Sequence, residues 1–112
     1  MGEEKIFDRD GLRERTMGEV ELMEQLIVLF KTDSAEQLAN LQQLAQEGQQ
    51  LELSRAAHQL KGSALNVGAD ALAAAAARLE QAAEENAGEA QELVQEVTTR
   101  HAELMAALDE EG

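Results

Sequence analysis

Apolar residues recur along this chain at intervals of three and four, the spacing of helices that bury one face. In the first tract Leu22, Leu26 and Leu29 form one stripe, and Met23, Ile27 and Phe30 form a second. Polar Lys31-Thr32-Asp33-Ser34 interrupts them, yet the second stripe stays in phase through Ser34, Leu38, Leu41 and Ala45. The phase favours one helix over about Glu19 to Gln46, roughly 40 Å long, with any kink near Asp33. The rival reading divides it there, with Asp33 and Glu36 as a capping box for a second helix. Ahead of it, Ile6 to Arg15 reads as a short entry segment. Its Ile6, Phe7 and Leu12 cover the end of a bundle, and Asp8 or Asp10 caps it. Thr16-Met17-Gly18-Glu19 reads as the capping box that opens the long helix.

Gly48 closes that tract, and a second runs from about Gln50 to Asn66 with Gly68 as its stop. A third covers Asp70 to about Glu85, where a run of alanines permits close approach of a neighbour. After the loop Asn86-Ala87-Gly88, the last helix is expected from about Glu89 to Leu108, with Leu93, Val97, Leu104 and Leu108 on one stripe. The fold class predicted is all-α: an antiparallel up-down-up-down four-helix bundle with a short N-terminal helical segment. Residues 1–112 form a single domain in this reading, with 1–5 and 109–112 frayed.

On the second tract, Leu53, Ala57, Leu60, Ala64 and Val67 share a face within about 80°. His58 lies near 140° from its centre, Lys61 near 80° and Gly62 near 180°. The histidine is thus on the outer side, away from the core stripe. Gly62, one turn on, costs the helix about 1 kcal/mol against alanine and removes bulk beside the imidazole. Leu51 and Leu65 flank the ring two turns away on either side, where a solvated face would carry Glu or Gln. An accessible imidazole with a cation at i+3 and an open neighbour suits a nucleophile that transiently holds an anion such as a phosphoryl group.

Composition narrows the remaining choices. The chain has no Cys, which excludes disulfides, thiolate chemistry and cysteine zinc sites. Nine basic residues against 23 acidic ones give a formal charge of −14, which argues against nucleic acid or an anionic membrane as partner. The charged N-terminus lacks the apolar core of a signal peptide, and Ile6 breaks the myristoylation pattern. A monomeric cytoplasmic protein is expected. His101 lies near the edge of the last stripe, and with only two histidines and no E-x-x-H pair a metal site is not expected.

His58-Gln59-Leu60-Lys61-Gly62-Ser63-Ala64, followed by Asn66-Val67-Gly68-Ala69 and Leu72, resembles the signature of histidine-containing phosphotransfer (HPt) domains. Leu29-Phe30, Leu38, Leu41 and Gly48 upstream and Leu79-Glu80 downstream extend the resemblance over about Phe7 to Leu108. The resemblance implies a carrier that accepts a phosphoryl group on Nε2 of His58 and passes it to or from a receiver-domain aspartate. Lys61 would stabilise the phosphoryl group and Gly62 would keep access open. Leu51, Ser54, Leu65 and the edge of Met23, Ile27 and Phe30 would dock the receiver. No cofactor is implied, since the magnesium would belong to the receiver. Nothing resembles a kinase ATP-binding domain, so self-phosphorylation from ATP is not expected. The alternative is a non-phosphorylated acidic helical module that binds or sequesters a signalling partner; it would tolerate glutamine at position 58. The residues leave open whether the chain is free-standing or part of a larger kinase.

Overall fold

The computed structural model describes residues 4–86 and 88–111. Among these residues five helices follow in order: α1 Arg9–Arg15, α2 Val20–Gln46, α3 Gln50–Val67, α4 Asp70–Glu84 and α5 Ala90–Glu111. α2 to α5 close a ring in which α3 packs on α2 and α4, and α5 packs on α4 and α2. This is the expected all-α bundle with a short N-terminal helix.

The tract from Glu19 to Gln46 forms one helix, because the stripe through Phe30, Ser34, Leu41 and Ala45 is buried without a break across Asp33. Its entry differs from expectation. Thr16 caps the end of α1, donating its hydroxyl to the carbonyls of Leu12 and Arg13 at 3.0 and 3.1 Å. Glu19 is the N-cap of α2 and makes no side-chain capping bond. The capping box fails because the Thr16 hydroxyl is already turned back to α1. Asp8 does cap α1, accepting from Gly11 N–H at 3.1 Å.

The core stripe of α3 is buried throughout, as are Leu72, Ala75, Ala76 and Leu79 of α4 and Val97, Leu104 and Leu108 of α5. Each fully buried leucine contributes about 1.5–3 kcal/mol of transfer free energy. The alanines of α4 let its axis approach α3 closely. Gly68 ends α3 in the left-handed region at φ 81°, with Ala69 N–H donating to Ala64 C=O at 2.8 Å. A Cβ there would lie 2.7 Å from the Asp8 carbonyl oxygen.

The N-terminal segment is strapped over this turn. Asp8 N–H donates to Gly68 C=O at 2.7 Å, and Ala71 N–H donates to Lys5 C=O at 2.8 Å. Arg15 donates to the carbonyls of Leu65 and Asn66 at 2.7 and 3.0 Å. Lys5 is held by the bond from Ala71, and Asp109 and Glu110 continue α5, with Asp109 paired to Lys31 at 2.7 Å. The expectations for residues 1–3 and 112, and for Ala87 in the last loop, lie outside the described residues.

α2 is longer than its neighbours. Gln37 Nε2 donates to Ser63 Oγ at 3.3 Å, so Gly68 falls level with about Thr32 on the antiparallel pair. The Lys31–Asp109 pair puts the last turns of α5 at a similar level. The first three turns of α2 therefore overhang the ends of α3 and α5.

Candidate functional site

His58 sits mid-way along α3 on the side away from the core, with 68% of its side chain exposed. α4 delivers the group that holds it. Glu80 Oε2 lies 2.9 Å from His58 Nδ1, and Glu80 Oε1 accepts from Lys61 Nζ at 2.9 Å. One carboxylate thus bridges the imidazole and the ammonium. The spacing from His58 to Lys61 puts both on the flank of α3 that faces α4, and Leu79, fully buried, fixes the register that brings Glu80 to them.

The carboxylate settles the ring's tautomer. An ionised carboxyl can only accept, so Nδ1 carries the hydrogen that faces it, and in the neutral form of the ring the lone pair is on Nε2. Burial acts to raise the Glu80 pKa, but the hydrogen bonds from Lys61 and His58, reinforced by their charges, outweigh it and hold the group below its ordinary value. Glu80 is therefore ionised at neutral pH.

Gly62 is exposed, and a Cβ built on it would meet nothing within 4 Å. No packing among the described residues requires glycine there. The space is open for something that approaches from outside.

Leu51 and Leu65 are exposed on either side of the histidine. Two other expected docking residues are corrected by their burial. Phe30 is 5% exposed and belongs to the core, and Ser54 is 6% exposed, its hydroxyl directed to Glu84 Oε1 at 3.5 Å. Both lie on the inward edges of their helices, Phe30 within the core cluster and Ser54 against Glu84 of α4. Met23 and Ile27 are half-buried, and Ile27 packs against the core. The exposed apolar positions of this part of α2 are Val20, Leu22, Val28 and Leu29 instead.

The sequence reading did not single out Glu80 as a site residue. Its sequence signal is its place in the Leu79-Glu80 match of the resemblance, which carries no role with it, and the register between α3 and α4 is a property of packing. His101 was placed near the edge of its stripe; it is buried, with Nε2 2.9 Å from Ser34 Oγ, and burial pushes its pKa down. Among the described residues no group of three or more His, Cys, Asp or Glu could hold a metal ion. Among them, too, no helix is long and apolar enough to cross a membrane.

Comparison with curated proteins and with solved structures returns no match. The family model of the Hpt domain matches residues 25–111, which takes in α3, α4, α5 and most of α2. With the exposed imidazole, its lysine and its open glycine on a four-helix bundle, the match establishes that the chain belongs to the Hpt domain family.

Proposed function

We propose that this chain is a phosphorelay carrier whose His58 Nε2 accepts a phosphoryl group from the aspartyl phosphate of a receiver domain and passes it to another. The observation that carries this reading is the Glu80 bridge, which leaves Nε2 of an exposed ring with its lone pair free to attack. In the step, the Nε2 lone pair forms a bond to phosphorus. The bond from phosphorus to the aspartate oxygen breaks, and the aspartate leaves as a carboxylate. Positive charge develops on the ring as it keeps its Nδ1 hydrogen, and the Glu80 carboxylate opposes it. Lys61, tethered beside the ring, neutralises the incoming phosphoryl oxygens. Gly62 leaves room for the in-line approach.

The reaction needs no metal or nucleotide from this chain; magnesium belongs to the receiver. Leu51 and Leu65 supply apolar contact around the histidine for that partner. A cytoplasmic setting fits this role.

The test is transfer from phosphorylated receiver domains to the protein and to its His58→Gln variant. Acid-labile, base-stable label on the first and none on the second is the expected result. No label on either, with receiver binding unchanged by the variant, would leave a non-phosphorylated interaction module.

A further inference from the structure

Among the described residues, five of the eight exposed large apolar side chains fall between Met17 and Leu29. Four of them lie on the overhanging turns of α2, where α3 and α5 have ended, and Met17 lies in the turn that leads into it. Val28 and Leu29, 63% and 59% exposed, border a depression of about 500 Å³ whose other walls are Glu21, Glu24 and Gln25. These positions face away from the core stripe of α2. The depression is also remote from the phosphotransfer residues. His58 is level with about position 42 of α2, so Leu29 lies roughly 20 Å along the bundle from it.

Charge decides what can cover this surface. From Glu19 to Leu29 there are three carboxylates and no cation. The adjoining end of α5 adds Asp109 and Glu110, and the one lysine at the base of the overhang, Lys31, is already paired with Asp109 at 2.7 Å. A second copy would set acids against acids. An anionic lipid surface or nucleic acid would be repelled in the same way. An apolar strip with an acidic rim is complementary to a helix that has apolar residues on one face and Lys or Arg beside them.

We propose that the overhanging turns of α2 are a docking site for a cationic amphipathic helix of a partner protein, separate from the His58 face and leaving it open. The site goes beyond the carrier function and does not depend on it. Its role is to hold the carrier near a partner while His58 remains free to meet a receiver.

The experiment titrates the full ¹⁵N-labelled chain with a leucine–lysine peptide patterned as an amphipathic helix. A scrambled peptide of the same composition serves as control. Saturable shifts confined to Met17–Leu29 and the end of α5 are expected, with the scrambled peptide at least about tenfold weaker. Leu29→Gln and Val28→Gln, both at exposed positions, should each weaken binding by roughly tenfold without altering the fold. Glu21→Gln with Glu24→Gln should weaken it and flatten its dependence on salt. Equal binding of both peptides over the whole acidic surface would overturn the proposal, as would shifts centred on His58. Concentration-dependent self-association through α2 would also overturn it, by showing that a second copy is the occupant.

Discussion

Glu80 Oε2 lies 2.9 Å from His58 Nδ1, so an acid on α4 engages one ring nitrogen of an imidazole on α3 and leaves Nε2 for the proposed attack. The same carboxylate holds Lys61, which ties the ring and the cation into one unit. Removing the carboxylate should free the tautomer equilibrium and the ring's rotation together. Glu80→Ala is expected to slow phosphoryl transfer by about 10–100-fold, by analogy with the loss of the carboxylate that orients a metal-bound histidine. Glu80→Gln keeps an acceptor for Nδ1–H and should lose less. The ring ¹⁵N shifts of His58 report the tautomer directly, and they should change in the alanine variant. An unchanged tautomer with an unchanged rate would remove Glu80 from the mechanism.

Gly62 separates access from stability. A Cβ there meets nothing, and glycine is a poor helix former, so Gly62→Ala should stabilise the protein by up to about 1 kcal/mol in urea denaturation. Gly62→Gln should fold equally well yet slow transfer, because the added bulk stands in the path of the receiver. A variant with an unchanged transfer rate would show that the space is not used.

Gly68 makes the opposite prediction. Its φ of 81° and the Asp8 carbonyl 2.7 Å from an added Cβ leave no strain-free place for a side chain. Gly68→Ala should cost at least about 1–2 kcal/mol, measured by denaturation, and should loosen the N-terminal strap. Hydrogen exchange at the Asp8 and Ala71 amides would rise with it.

The buried pair of His101 and Ser34 gives stability a pH dependence. Burial lowers the His101 pKa, so the folded state keeps the ring neutral where the unfolded chain would protonate it. As pH falls below the ordinary value of 6.5, the unfolded state binds the extra proton and stability drops, by at most about 1.4 kcal/mol per pH unit. His101→Gln should remove that slope between pH 6.5 and the folded-state pKa. Glu80 acts in a lower interval: its lowered pKa gives stability above 4.5 that is lost as pH falls through its folded-state value. A slope that persists in the glutamine variant would mean that another group titrates there.

Much of this architecture was legible in the chain because it is written locally. The stripe from Ile27 to Ala45 carried its phase across Asp33, and α2 is one helix. The wheel of α3 placed His58 outside and Leu53, Ala57, Leu60, Ala64 and Val67 inside, as the burial shows. What the sequence hid depends on contacts between helices. Thr16 looked like an N-cap because its spacing to Glu19 fits, but the fold uses its hydroxyl on α1. Phe30 looked available for docking because one apolar face does not say how wide the core is. Glu80 meets His58 only through the register of α4 on α3.

The corrected docking residues separate cleanly in experiment. Leu65→Gln, at an exposed position, should change stability by no more than about 0.5 kcal/mol while weakening receiver binding. Phe30→Ala should instead cost about 3–5 kcal/mol of stability, as a core aromatic does. Denaturation midpoints and receiver affinity, measured on both variants, distinguish docking from packing. A strongly destabilised Leu65 variant with unaltered binding would reverse the assignment.

The most direct measurement of the central claim is the site of the phosphorus–nitrogen bond. The protein, labelled with ¹⁵N in its histidine rings, is phosphorylated by a receiver and its ring-nitrogen couplings to ³¹P are recorded. One coupling is expected, at Nε2 of His58, with His101 unmodified in the core. Phosphorus on Nδ1 of His58, on His101 or on a non-histidine side chain would contradict it.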